Sequence, residues 1–597
     1  MSDRQTVLLA VAVALGATTA RGGHALAVAA FGLAVVAWAL RRPVTLIVAL
    51  AALSSAFGAL ALNGLWPPRP HAVEGEWITL LTDPAPNAFG SIAADVRIGK
   101  RHAQAFARGG AATLFGARLA GERLRVNGRV APVTGPSRDW LASKHIAVRL
   151  TIDAITDTRQ AGALGAAANA YRRVVARGAE ALPEALRPLF GGMVIGDDRG
   201  QSQEMQDAFR AAGLTHLLVV SGQNVAFALL VAAPLLRRGR LGWRFALTLV
   251  VLGAFGTLTR WEPSVLRAEA MAAVAAAATL AGRPVPVVRL LALAVSACVL
   301  VDPLLVRSVG FRLSVAACAG LALLTPPLQR RGVPMLLAAS IAAQVGAAVV
   351  LVPTFGTVPL VSLPANVLAV PVAGPIMMWG LTAGPVAGLA PPLASVIHVP
   401  TRLALSWEAG VATRAAALPI APIGGVAAAA VGVAIAMWLV AVRLTRARLV
   451  ARLAGVAIVA AVFAVAVRGP TDVLAADLGG GVRLWVVDGR SVLAIGGRAR
   501  SDVLDALRAR RVHRLDVLVV TRPGSAAAQA AWPFVAAFRP RVVLAPEHHQ
   551  LAGARTARRG AFVEIGRVAL RVTDAGPPLR VAVGLRVYGR ARDPSPR

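Results

Sequence analysis

Long apolar runs separated by short arginine-bearing breaks recur from residue 6 to residue 467. Many approach or exceed the ~18 residues that suggest a bilayer-crossing helix. Three open the chain, roughly Thr6–Ala20, His24–Leu40 and Pro43–Leu65. The first resembles a signal peptide, but a second apolar run follows at once after Arg21 without a clear cleavage pattern, so it reads as an uncleaved helix. A second series lies near 214–236, 241–259, 264–282, 287–305, 313–328, 334–352, 359–382, 392–415, 422–442 and 449–467. The pattern predicts a polytopic α-helical membrane protein of about 11–13 spans. Between 359 and 421, Pro364, Pro371, Pro375, Pro385, Pro391 and Pro392 predict broken or re-entrant helices instead of full spans.

Three stretches depart from this pattern. Residues 66–158, punctuated by Pro67, Pro68, Pro70, Pro84 and Pro86, hold strand-like runs at Trp77–Leu81, Ile92–Ile98, Leu124–Val130 and Ile146–Ile155. They predict a small β-barrel or sandwich. Residues 159–213 read as an amphipathic, interfacial segment with Arg172, Arg173, Arg177 and Arg187. Residues 472–590 alternate strand-like runs (Arg483–Val487, Leu515–Val520, Arg541–Leu544, Val568–Val572) with helix-like ones (Ser501–Arg511, Ser525–Phe538), an α/β pattern. The divisions are therefore 1–65, 66–158, 159–213, a membrane core at 214–467, and 472–590.

Charge orients this arrangement. Arg41–Arg42, Arg237/Arg238/Arg240, Arg283/Arg289, Arg330/Arg331 and Arg443/Arg446/Arg448 all fall on one side of the alternating spans. The positive-inside rule makes that side cytoplasmic, which puts the N-terminus in the cytoplasm and both β-containing domains on the outer face of the membrane. Hydrophobic residues make up 56% of the chain and charged ones 15%, which excludes an ordinary soluble array. The net charge is +34, nearly all arginine, with Lys100 and Lys144 the only lysines. Two readings stay open: contact with a phosphate backbone, or cytoplasmic loops in an arginine-rich proteome. Arg97, Lys100, Arg101, Arg123, Arg125 and Arg129 line either a nucleic-acid path or a solvated basic face. The two cysteines, Cys298 and Cys318, lie in apolar segments, against a disulfide framework or a cysteine zinc site.

Polar residues inside apolar runs are costly and carry the chemistry. The most informative stretch runs from Ile195-Gly-Asp197-Asp-Arg-Gly-Gln to Gly213-Leu-Thr-His216-Leu-Leu-Val-Val-Ser221-Gly-Gln223-Asn224-Val225. His216 and Gln223, seven residues apart, share a face if the stretch is helical. Interhelical hydrogen bonding and pore lining explain these groups equally well. Arg267 and Glu269 call for partners; Asp302-Pro303, Gly310–Ser314 and Pro364-Ala-Asn366-Val-Leu-Ala-Val-Pro371 are further clusters.

The order of these pieces resembles the ComEC-type competence DNA channels. Matching segments are Gly196-Asp197, Gly213–Gly222, Pro263-Ser264 with Arg267-Ala268, Gly282-Arg283, Asp302-Pro303, Gly310–Ser314 and Pro364–Pro371. The resemblance extends to Gly121–Gly128, which looks like a strand turn of the family's OB-like domain, and to residues 472–590, which look like its metallo-β-lactamase-like domain. It implies uptake of single-stranded DNA during transformation. His216, Ser221, Gln223, Asn224, Arg267, Asp197 and Asn366 would lie along the path, and Arg97, Lys100, Arg125 and Arg129 would contact DNA. Membrane lipids, a DNA receptor protein and a helicase-like motor are the implied partners, since no Gly-Lys-Ser/Thr phosphate loop is present.

One departure matters. Where nuclease-competent members carry Thr-His-x-His-x-Asp-His, this chain has Thr521-Arg522-Pro523-Gly524-Ser525-Ala526-Ala527, and Asp477-Leu-Gly-Gly-Gly481 only loosely matches Asp-Val-Gly-Gln-Gly. His513, His548 and His549 do not replace the lost ligands, so the domain is expected to hold no metal or cofactor and to be catalytically silent. The competing classes are an exporter of another substrate and, against this departure, a membrane-tethered nuclease.

Overall fold

The computed structural model describes residues 2–65, 69–87, 91–133, 138–283, 285–355, 357–418, 420, 423–424 and, with short breaks, 473–585. The expected spans near 422–442 and 449–467, the cluster Arg443/Arg446/Arg448 and most of Ser501–Arg511 lie outside the described residues. Two compact units emerge, one of Met1–Gln201, Leu214–Val350 and Asn366–Val411, the other of Ser202–Gly213, Leu351–Ala365 and Ala412–Arg597.

The first unit opens with α1 (Asp3–Thr19), α2 (His24–Ala39) and α3 (Pro43–Asn63). Ser2 caps α1 reciprocally: Gln5 N donates to its hydroxyl while Ser2 N donates to Gln5 Oε1. Pro43 stands in the first turn of α3, where its missing N–H leaves nothing unsatisfied.

A barrel follows, built from β1 (His71–Leu80), β2 (Ala85–Pro86), β3 (Ile92–Ile98), β4 (Arg101–Ala107), α4 (Gly109–Gly116), β5 (Arg123–Pro132), α5 (Arg138–Ala142) and β6 (Ile146–Arg159). The sheet order is β1-β5-β6-β4-β3-β2, and β1 also pairs with β3, so five strands close on themselves. β4 and β6 run parallel; the other pairs are antiparallel. Along β5, Leu124, Val126 and Val130 face inward while Arg123, Arg125 and Arg129 face out. Ile78, Leu80, Val96, Phe115, Leu150 and their neighbours fill the interior. Gly128 is required here, because a Cβ would overlap the Thr151 carbonyl. The four strand-like runs read from the sequence map onto β1, β3, β5 and β6, the first overrunning β1 by Leu81; β4 had no comparable hydrophobic signal.

The chain continues through α6 (Ala163–Ala179), α7 (Arg187–Ile195), α8 (Gln203–Ala211, in the second unit), a 3₁₀ turn (Thr215–Leu217), α9 (Gly222–Leu236), α10 (Leu241–Leu258), α11 (Pro263–Leu280) and α12 (Val287–Val301). A second 3₁₀ turn (Pro303–Arg307) precedes α13 (Val309–Gln329), α14 (Met335–Phe355), β7 (Thr357–Val358), α15 (Ser362–Leu389), α16 (Pro391–Ile397), α17 (Val399–Ala417) and β8 (Ile423–Gly424). Among the described residues, six helical segments are long and apolar enough to cross a membrane: Pro43–Asn63, Thr215–Leu236, Leu241–Leu258, Val309–Gln329, Met335–Phe355 and Ser362–Leu389. This is a helical membrane protein with separate β structure. α2 and α12 are apolar but shorter, and α17 carries Arg402, Glu408 and Arg414.

Close crossings use small residues. A Cβ on Gly320 of α13 would overlap the Ala342 carbonyl of α14, and one on Gly346 the Ala316 carbonyl. The expectation of broken helices after 359 is corrected for Pro371, Pro375 and Pro385, through which α15 runs unbroken, whereas the helix does break at Ala390, before Pro391 and Pro392. Pro385 has no N–H for the carbonyl four residues back, Leu381 O, and the Tyr171 hydroxyl of α6 donates to it instead at 2.5 Å.

The second unit carries β9 (Val473–Asp477), β10 (Val482–Val487), β11 (Arg490–Ile495), β12 (Val517–Val520), α18 (Ser525–Phe538), β13 (Val542–Ala545), β14 (Arg555–Thr556), β15 (Phe562–Ile565), β16 (Val568–Asp574) and β17 (Arg580–Leu585). Its main sheet runs β14-β13-β12-β11-β10-β9, parallel from β11 to β14 and antiparallel from β9 to β11. One face packs on Phe534 and Phe538 of α18, the other on Leu570, Val572 and Leu579 beside the three-stranded β15-β16-β17 sheet.

Burial pushes the Tyr171 hydroxyl up to about 12, so it stays a donor across physiological pH. Tyr171→Phe, which leaves Leu381 O without that donor, is expected to cost about 1–3 kcal/mol. Thermal melting of the purified protein in detergent checks this.

Candidate functional site

A buried ionic cluster forms where four segments of the first unit meet. Asp83, in the turn after β1, accepts at Oδ2 from Arg172 Nη2 at 2.7 Å, and at Oδ1 from Arg260 Nη2 at 2.8 Å and from Ala120 N at 2.7 Å. Arg172 lies on α6 and is only 2% exposed. Its Nη1 donates to Leu258 O at 2.9 Å and also to Ile195 O, so one guanidinium gathers the ends of α7 and α10. Arg260 also reaches Asn169 Oδ1 at 2.8 Å. Asp197, after the left-handed Gly196 (φ 68°) that ends α7, holds Arg199 by two bonds of 2.7 Å, with Arg172 Nη2 at 3.8 Å.

The cluster sets its own protonation. Burial would raise the Asp83 carboxyl, but Arg172 and Arg260 together hold it below the ordinary value. Asp197 is likewise buried yet lowered, chiefly by its bonds to Arg199. Asp198, buried beside the Asp197 charge and without such bonds, is raised. The interfacial reading of residues 159–213 therefore needs correction at Arg172: it is enclosed because it has carboxylate and carbonyl partners, which an exposed surface arginine lacks.

A second group surrounds the N-terminus of α9. Ser221, in extended conformation (φ −115°, ψ 169°), precedes Gly222. Asn224 Nδ2 donates to Met193 O of α7 at 3.0 Å, and Ser221 Oγ to Asn224 Oδ1 at 3.3 Å. Arg267 of α11 is 4% exposed and donates through Nε to Ser314 Oγ of α13 at 2.8 Å. Its guanidinium occupies the space a Cβ on Gly222 would need. Among the described residues no carboxylate pairs with it. Glu269 does not, because residues two apart point to different sides of a helix; its Oε1 has no partner.

The structure thus brings Ser221, Asn224 and Arg267 together and sets Asp197 in the neighbouring ionic cluster. His216 and Gln223 are both exposed. The premise that they share a helical face is corrected: residues 218–221 are not helical, so the phase is lost between the 3₁₀ turn and α9. Asn366 stands apart on α15.

On the barrel, register makes a basic row. Thr79 of β1 lies opposite both Arg97 of β3 and Arg123 of β5, and Arg123 lies opposite Arg159 of β6. Arg159 and Arg123 stand 4.3 and 5.6 Å from the centre of the Trp77 ring. Arg97, Arg123, Trp77 and Thr79 line a cavity of about 450 Å³. Of the arginines and lysine expected to touch DNA, only Arg97 lines it. Arg125 donates to Gly75 O at 2.9 Å, Arg129 faces out further along β5, and Lys100 lies in the β3–β4 turn. Trp77 and Arg159 were missed; only cross-strand register identifies them.

In the second unit, Thr521–Gly524 follow β12 and Ser525 starts α18, where a hydrolase of this resemblance would seat its metals. Thr521 Oγ1 donates to Ile495 O at 3.1 Å. A hydroxyl, a guanidinium, a proline and a glycine do not fit a divalent metal. Among the described residues no cluster of three or more His, Cys, Asp or Glu is placed to hold a metal.

Residues 193–449 match the family model described as Competence protein. The chain is similar to "Uncharacterized protein YcaI" of Escherichia coli (strain K12), 28% identical over 225 residues, covering 34% of this chain and 29% of that protein. It is also similar to ComE operon protein 3 of Bacillus subtilis (strain 168), 29% identical over 209 residues, covering 34% of this chain and 27% of that protein. The matched stretch spans under a third of either relative. No solved structure matches the chain.

Asp83 and Asp197 are lowered carboxyls, so their stabilisation is full above the unfolded value of about 4 and is lost as pH falls through the folded value. The melting temperature should hold above about pH 5 and fall steeply below about pH 4. Asp83→Ala, leaving Arg172 and Arg260 buried without their carboxylate, should cost about 3–5 kcal/mol and remove part of that acid dependence.

Proposed function

We propose that this chain is a ComEC-type competence protein, as the match of residues 193–449 to the Competence protein family supports, and that it conducts one strand of DNA across a bacterial inner membrane during natural transformation. The observation that carries this reading is Arg267, a buried guanidinium without a carboxylate, set against Gly222 where α9 begins. A helix N-terminus and an uncompensated cation together favour an anion, and a phosphodiester fits. Arg267 is sealed in this arrangement, so passage requires α9 and α11 to part. Asn224 tethers α9 to α7 and governs that movement.

The barrel supports an OB-like reading. Taken in chain order without the short β2, its five strands pair first-second-third-fifth-fourth-first, with a helix between the third and fourth. Such domains follow single strands with basic grooves and aromatic platforms, the chemistry of Arg97, Arg123, Arg159 and Trp77. The layering of α18, a mixed sheet and a second sheet supports a metallo-β-lactamase-like reading of the C-terminal domain. Its donor set supports a silent one, so hydrolysis of the second strand falls to another protein. Both domains lie outside the membrane; a receptor protein delivers DNA and a helicase-like motor draws it in.

Asn224→Leu and Arg267→Ala are expected to abolish transformation while leaving membrane insertion intact, measured by transformation frequency and membrane fractionation. Wild-type frequencies in both would end the channel role of these residues. Arg123→Ala with Arg159→Ala should reduce the slope of log affinity against log salt for single-stranded DNA by about 1.4, at ~0.7 per phosphate contact. The same DNA should be recovered uncut after incubation with manganese.

A further inference from the structure

α17 buries a stripe of Thr401, Leu405 and Glu408, spaced to fall on one side of the helix. Glu408 is 0% exposed, and neither carboxylate oxygen has a hydrogen-bond partner. A bare carboxylate so placed is among the least tolerable groups a membrane protein can hold.

Two indole bonds fix what lies beside it. Trp407 Nε1 donates to Leu368 O at 2.9 Å, and Trp379 Nε1 to Ile397 O at 3.0 Å. α15 and α17 therefore run antiparallel, with Asn366 and Glu408 within about two residues of one level, roughly 3 Å of rise. Asn366 Oδ1 is also buried and without a donor. Three acceptor oxygens thus stand at one level on neighbouring helices, none given a hydrogen.

Among the described residues no countercharge answers Glu408. α9, α15 and α16 contain no Asp, Glu, Lys or Arg. On α17 itself, Arg402 and Arg414 are exposed. His398, before α17, is buried with Nδ1 at 3.2 Å from Thr401 Oγ1 and its ring against Phe190 of α7. Arg187 of α7 is spent on the Leu182 and Glu180 carbonyls. Turning over the Asn366 amide would supply one donor but leave a full charge buried.

We propose that Glu408 is a proton-binding site, its carboxyl carrying a hydrogen in this conformation with the Asn366 amide oxygen as acceptor. One hydrogen neutralises the charge and satisfies the amide oxygen together. A metal cation would need more oxygens than these three. Ala404, one turn before Glu408, lines a cavity of about 420 Å³ with Thr401, Val231 and Trp379. The site binds a proton when α15 and α17 close and returns it to water when they part, so helix movement and proton release are linked. Proton binding at Glu408 does not depend on what the protein carries.

The test is infrared difference spectroscopy of the full chain in lipid vesicles, between neutral and strongly alkaline pH, with and without sodium. The expected result is a neutral carboxylic-acid C=O stretch at neutral pH that disappears on alkalinisation. It should be absent from Glu408→Gln, kept in Glu269→Gln, shifted by Asn366→Ala and indifferent to sodium. Glu408→Asp, which keeps the carboxyl and shortens its reach, should retain a displaced band and guards against a Gln variant that misfolds. Identical neutral-pH spectra for wild type and Glu408→Gln would overturn the proposal, as would loss of the band on adding sodium at constant pH.

Discussion

A guanidinium removed from water must find acceptors for its N–H groups, and Arg172 finds them on three separate segments. Its bonds to Asp83, Ile195 O and Leu258 O join the barrel, the end of α7 and the end of α10. The residues around it on α6 repeat the pattern in other directions. Asn169 donates to Ala120 O of the barrel, Tyr171 to Leu381 O of α15, and Arg173 pairs with Glu122. Desolvating so many polar groups is unfavourable in itself. What the arrangement provides is geometry: each bond has one solution, so the barrel and the helices of this unit share one origin.

The apolar helices are held by different means. They have no hydrophobic gain from one another in lipid, and they approach through Ala316, Gly320, Ala342 and Gly346, where missing side chains allow backbone contact. Pro385 is tolerated inside α15 because a hydroxyl from elsewhere replaces the missing donor. Against this uncharged background, Arg267 and Glu408 stand out by lacking a partner of opposite sign. At Asp83 and Asp197, by contrast, the buried charge is answered by arginines. At Arg267 and Glu408 a mobile anion and a mobile proton would supply what the fold does not.

The sequence by itself determined the character of each stretch. Some eighteen apolar residues in lipid have only a helix available to satisfy their backbone, so α3, α9, α10, α13 and α14 were legible directly. Alternation along Leu124–Val130 likewise implied a two-faced strand, and the lack of His, Asp or Glu in Thr521–Ala527 could be read without coordinates. Ser221, Asn224 and Arg267 could each be singled out in the sequence, since each is a polar group that lipid does not tolerate alone.

Only the tertiary structure decided which of many similar residues do what. Arg172, Arg173 and Arg177 look alike in a basic helix, yet Arg172 is enclosed by a carboxylate that lies in a proline-rich turn 89 residues earlier. Arg260 reaches the same Asp83 across 177 residues. His216 and Gln223 fell out of phase because Ser221 is extended, a local choice that no periodicity announces. Trp77, Arg97, Arg123 and Arg159 became one surface through the pairing of four strands. Segment character follows from short-range sequence, because solvation acts on each residue where it stands. Partners follow from closure of the whole chain, because a charge can be buried only where another part of the molecule arrives to meet it.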